Sequence, residues 1–344
     1  RWGFLGLLVA LVAGGLLERV PGAGAPVIAG QVVVMLLATA AVCLTWANLE
    51  AIVSEGLGGR PLQRNLGIYN LIWAGGNAVA FFVGGALIEA FGFGVIFWLP
   101  AALMAVMGGL STAAGRGGVL RQAGPPLHGA AAPASERRQA DAAPRAFLHM
   151  AWLANPCAYI AIAAAVPVLP ALAARLELGT AEAGTFGSIW FFVRFVVFGL
   201  LWWWTGWHYR FRWLFAAYLA LIAGFLGLFT LSTLAAVAAA QVVFGAGIGL
   251  IYYSSLFYSM DVGDTKGEHG GIHEAALGAG ILLGPLIGAV GKFLRPDALS
   301  APAWAVSAAL LAGLAGLFWL RGPRRRWGPA GRLRRGCGCV AARA

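Results

Sequence analysis

Long apolar runs, separated by short polar connections, recur from one end of the chain to the other and leave few folds open to it. About 20 mostly apolar residues carry a helix across ~30 Å of hydrocarbon. Ten runs meet or approach that length, at 2–18, 27–53, 66–89, 93–114, 147–172, 183–205, 212–231, 234–259, 270–292 and 302–320. Backbone polar groups in lipid must find partners within the chain, so each run is expected to be a helix. Only 11% of the residues are charged, against about a quarter in a soluble domain. A water-facing surface cannot be built from so few charges at this length. The 50 glycines suit membrane helices that pack through small side chains. The expected class is an all-α polytopic membrane helix bundle of about ten transmembrane helices.

One connection is long. Residues 115–145 are rich in Ala, Gly, Pro and Arg, nearly free of large apolar side chains, and read as a flexible linker. The expected organisation is a helical half at 1–114, the linker at 115–145, a six-helix half at 146–321, and a basic disordered tail at 322–344. If the start is cytoplasmic, nineteen Lys and Arg fall on cytoplasmic segments and four on the other side, with Arg194 inside a span. That asymmetry places both ends and the linker in the cytoplasm of a cell with a plasma or inner membrane. The net charge of +11 is then loop and tail charge, and nucleic acid is not an expected partner. Cys43 and Cys157 lie inside spans, and Cys337 and Cys339 in the tail, so no disulfide framework follows.

The two halves carry an internal repeat. Residues 64–85 can be laid on 268–289, which superposes Gly67 on Gly271, Ile68 on Ile272, Gly76 on Gly280, and Gly84 on Gly288. The RWGF of 1–4 likewise resembles the RWLF of 212–215. The second half has two spans ahead of the matching point, and the first half has none, so the start at Arg1 reads as a truncation.

Two motifs carry a family resemblance. GAGILLGPLIGA at 278–289 holds Gly280, Gly284, Pro285 and Gly288, and the earlier copy GGNAVAFFVGG keeps the end glycines without the proline. Missing side chains there let helices approach closely and slide or bend. Gly206-Trp-His-Tyr-Arg-Phe-Arg212 is a short basic loop after the sixth run, with Arg210 and Arg212 but no aspartate. In these features the chain resembles a major facilitator superfamily transporter without its first two helices. The usual arginine opening the fourth helix of that family is replaced by Gln31 in the comparable region. The resemblance implies a central solute site between two rocking halves, a monomer, a small-molecule substrate, and no cofactor.

Polar groups within hydrocarbon are expensive, and each is a functional candidate. Arg194 lies about twelve residues into its span and should face the interior, to bind an anionic solute or meet a carboxylate. Glu50, two residues after Asn48, is the deepest carboxylate of the first half and a candidate proton carrier. His273 and Glu274 begin the ninth run close to Asp261, which suggests a cytoplasmic gate, with helix-terminus capping as the alternative. Tyr252, Ser255 and Ser259 share one helical face and could hydrogen-bond a solute or a neighbouring helix. Asn70 and Asn77 share a face, and Asn155 precedes Pro156 within a span. Trp202, Trp203, Trp204 and Trp207 read as an interfacial belt.

Alternating-access transport of a small solute, coupled to protons, is the expected function, and catalysis is not expected. No Walker-type phosphate loop points to ATP. Two other classes compete. Asp261 and Asp264 faintly resemble one of the two metal-binding motifs of membrane prenyltransferases. The short first half would also suit a sensor or a non-functional fragment of a transporter.

Overall fold

The computed structural model describes residues 2–22, 24–116, 143–262, 266–297 and 300–321, without the side chains of 114–116 and 266. Among these residues the first half holds α1 (Trp2–Glu18), α2 (Ala25–Ser54), α3 (Gly59–Phe91) and α4 (Val95–Arg116). The second half holds α5 (Pro144–Ala165), α6 (Leu169–Arg175), α7 (Thr180–Gly187), α8 (Ile189–Trp203), α9 (Phe211–Thr230), α10 (Leu234–Val262), α11 (Lys266–Leu294) and α12 (Ala301–Arg321). All ten apolar runs are helical. Nine spans among the described residues are long and apolar enough to cross a membrane, with α1 as a shorter apolar helix. The protein is a multi-pass helical membrane protein. Most of residues 115–145, the tail with Cys337 and Cys339, and Asp264 lie outside the described residues.

Local chemistry sets the helix ends. Pro26 and Pro144 sit in the first turns of α2 and α5, where the missing N–H costs nothing. Gly92, at φ 79°, ends α3. Two spans are broken inside. Pro167 and Pro170 fall where α5 passes through a 3₁₀ turn (Val166–Val168) into α6. The α7–α8 span is interrupted at Ser188, whose Oγ donates to the Thr185 carbonyl at 2.6 Å.

Within the first half α1 packs along α2 and α4, and in the second α9 packs along α10, while α5 lies between α10, α11 and α12. Gln31 joins α2 to α1 by donating from Nε2 to the Gly14 carbonyl at 3.0 Å. The halves meet along two lines: α3 against α7 and α8, and α2 against α11. The 280–288 glycines act within the second half. A Cβ on Gly280 would come within 2.6 Å of the Pro156 carbonyl oxygen, and one on Gly284 within 2.6 Å of the Ile160 carbonyl oxygen. These two glycines let α11 lie against the backbone of α5. Pro285 is exposed, and Gly288 is half-buried near Pro302.

The tryptophan belt needs one correction. Trp203 is exposed at the end of α8, as an interfacial residue should be, but Trp207 is buried. Its Nε1 donates to the Leu201 carbonyl at 3.2 Å, and its ring packs edge-on against Tyr253 and Phe257. The chain turns inward between α8 and α9, so a residue four positions past the exposed tryptophan becomes core.

A polar and aromatic site at the seam between the halves

α2 ends, and α3, α5 and α11 begin, at the same end of the bundle as the linker. Glu50 lies one turn before the end of α2, and His273 and Glu274 lie about two turns into α11. The packing of α2 on α11 brings them together: Glu50, His273 and Glu274 each place a ligand atom within 4.8 Å of the others. Glu50 and His273 are fully buried and Glu274 is half-buried. Gly270 packs beside them, where a Cβ would stand 3.7 Å from Glu50 Oε2 and 3.3 Å from the flexible end of Met260. Neither carboxylate oxygen of Glu50 has a hydrogen-bond partner of standard geometry, and neither has the hydroxyl of Tyr69, which faces it from α3. Ser255 Oγ lies 3.0 Å from His273 Nδ1, while Nε2 is buried without a partner.

Above this cluster an aromatic column leads into the bundle. The Tyr252 ring meets His273 edge-on at 5.2 Å and stacks on Trp73 at 5.0 Å, with the planes 9° apart. The far end is Arg194, only 3% exposed. Its guanidinium carbon sits 4.4 Å from the Trp73 ring centre, 5.4 Å from Trp190 and 5.2 Å from Phe191. Arg194 forms no ion pair among the described residues, and its Nε has no hydrogen-bond partner. Aromatic faces, with their negative quadrupoles, surround the buried charge instead of a carboxylate. Trp73 comes from the first half and Arg194 and Tyr252 from the second, so this column also crosses the seam.

The remaining sequence candidates separate. Asn70 and Asn155 are fully buried, and the amide groups of both lack hydrogen-bond partners. Asn77 is half-buried and donates to its own helix, to the Trp73 carbonyl at 3.0 Å. Asn48 is exposed and donates to the Leu44 carbonyl at 2.5 Å, so it stands away from Glu50 despite its nearness in sequence. Asp261 does not join His273 and Glu274: its carboxylate accepts a hydrogen bond from the Tyr209 hydroxyl. Tyr209 adopts φ 52°, unusual for a side chain of its size. It is held there by that bond and by its N–H, which donates to the Tyr258 hydroxyl at 2.9 Å. Thus the loop carrying Arg210 and Arg212 is tied to the end of α10, and Arg212 itself is exposed against Trp213. Ser259 accepts from Trp152 Nε1 at 2.8 Å, an interhelical bond rather than a free solute contact.

Three residues escaped sequence reasoning. Trp73 bridges Arg194 and Tyr252, Gln63 donates from Nε2 to the Leu201 and Trp202 carbonyls, and Gln241 is fully buried with an unpartnered amide. A glutamine deep in the 234–259 run was a visible signal for Gln241, whereas Gln63 lies in the polar stretch between two runs. Nothing local marks Trp73, because its partners are more than a hundred residues away. No protein-family profile matches the chain, and no curated protein matches it in sequence.

Proposed function

We propose that the protein is a secondary transporter of the major facilitator type, in which two helical halves rock about the seam and move a small solute, with proton coupling through Glu50. In this reading the linker and both ends are cytoplasmic, and the Glu50–His273–Glu274 cluster stands near the cytoplasmic mouth. The observation that carries it is the location of buried polarity. The buried polar residues described in the first half are Glu50, Ser54, Gln63 and Asn70. All four lie on α2 or α3, the helices that meet the second half. Polarity in hydrocarbon is costly, and concentrating it between two bodies is what a moving polar pathway needs. Arg194, buried without a carboxylate partner, offers the positive charge for an anionic solute. The paired packing of α1 on α2 and α9 on α10 supports the repeat.

Proteoliposomes loaded with a pH-sensitive dye test the proposal. They are challenged in turn with panels of sugars, amino acids, organic acids and lipophilic cations. At least one panel should change the internal pH, and Glu50→Gln and Arg194→Ala should each abolish that change. No response to any panel, or an unchanged response in both variants, rejects the reading.

A further inference from the structure

We propose that Glu50, His273 and Glu274 form a binding site for a divalent first-row transition-metal ion such as Zn²⁺, assembled from both halves of the bundle. Each residue places a ligand atom within 4.8 Å of the other two, and side-chain rotations that draw these atoms to roughly 3.4 Å apart would seat a four-coordinate ion with bonds of about 2.1 Å. Grouped acidic residues alone would not suffice, but two further observations point to a ligand. The carboxylate of Glu50 is fully buried with neither oxygen hydrogen-bonded in standard geometry, and His273 Nε2 is buried without a partner. Glu274 and Tyr69 lie beside Glu50 but complete no bond of standard geometry with it, in a place where an unsatisfied polar atom is costly.

The orientation of the imidazole fits the same role. Ser255 Oγ lies 3.0 Å from Nδ1, and the tautomer in which Nδ1–H donates to that oxygen is the one that leaves the Nε2 lone pair for an ion. Metal-binding histidines commonly have such an outer partner. Once deprotonated, the two carboxylates supply two negative charges, and the buried cation Arg194 is engaged with aromatic rings farther along the column. A divalent ion supplies the missing charge at the cluster itself. The donor set selects the ion: imidazole and carboxylate without thiolate suit Zn²⁺, Co²⁺, Fe²⁺ or Mn²⁺ rather than Cu⁺. Three protein ligands leave a position for water or an exchanging group. Glu274 is only half-buried and gives the ion its way in. Because the ligands come from α2 and α11, the ion also joins the two halves. Binding does not depend on transport, and it stands or falls separately.

Titration of the full-length protein in detergent with Zn²⁺, and with Co²⁺ followed by visible absorption, tests the site. One tight Zn²⁺ per chain is expected, and a Co²⁺ spectrum of low coordination number. Glu50→Gln, His273→Gln and Glu274→Gln should each weaken binding by more than about tenfold while the protein stays monodisperse. Cys337→Ser/Cys339→Ser should bind as the wild type does. Absence of bound metal, as when Glu50 and Glu274 merely share a proton, overturns the proposal. So does binding that survives all three seam substitutions, or that disappears when the tail cysteines are replaced.

Discussion

The two halves of the molecule are built differently. In the first-half spans α2, α3 and α4, 6–17% of the most apolar stretch is buried, whereas the second-half spans reach 22–50%. The second half has a continuous core of Tyr, Phe and Trp side chains running through α5, α8, α9 and α10. The first half packs mainly through small residues and turns its leucines, isoleucines and valines outward. In water that exposure would be ruinous, but lipid tails are as apolar as leucine and exact no penalty. Each half therefore uses its interior differently. The second half uses apolar and aromatic packing to make a rigid body. The first half buries mostly small residues, and the polar side chains it does bury, Glu50, Ser54, Gln63 and Asn70, all lie on the helices that meet the second half.

That contrast can be broken by substitution. The largest effect is expected in the second half. A Cβ on Gly247 would come within 2.6 Å of the Ala217 carbonyl oxygen and 2.7 Å of the Leu221 nitrogen, so Gly247→Leu should lose about 3 kcal/mol, the upper end for overpacking a tight core. Gly108 faces open space in α4, and Gly108→Ala should stay within about 0.5 kcal/mol of the wild type. Thermal unfolding in detergent compares the two directly, and equal losses would erase the distinction between the halves. A smaller effect is expected at the aromatic box. Arg194→Lys and Trp73→Ala should each cost about 1–2 kcal/mol, and the double variant should cost less than the sum, because both remove one stacking contact in a desolvated place. Additive losses would mean that the stack carries no energy. Next, Ser255→Ala should weaken Zn²⁺ binding by roughly tenfold through loss of the outer partner of His273, with little change in melting temperature. The smallest effect belongs to Asn48→Ala, expected within about 0.5 kcal/mol, since that side chain only bonds its own helix at the exposed face.

Much of the fold was legible in the sequence, because the bilayer imposes a length and a polarity on each element. All ten runs became helices, with ends displaced by a few residues, most at Gly59 and Lys266, where polar residues continue a helix beyond its apolar part. The breaks near Pro167 and at Ser188 were not legible: an apolar run reads the same whether or not its helix is interrupted. The site was legible as a set of residue types and not as an arrangement. Glu50, His273 and Arg194 stand out because charge in hydrocarbon is rare. That Glu50 meets Glu274, while Asp261 turns to Tyr209, depends on helix packing across more than two hundred residues. Sequence proximity misled at Asn48, which helical rotation carries to the opposite side from Glu50, and at Trp207, which a turn folds inward.

The central claim is that two bodies move against each other across the seam. It is tested most directly by measuring the distance between them. Arg64 and Arg212 are both exposed at the linker end, one on each half, and can carry spin labels as cysteines once Cys43, Cys157, Cys337 and Cys339 are replaced. Pulsed electron–electron distance measurements in lipid nanodiscs should find two populations of separation, with their ratio shifted by Glu50→Gln. A single narrow separation, the same in the variant, would describe one rigid bundle and contradict the account.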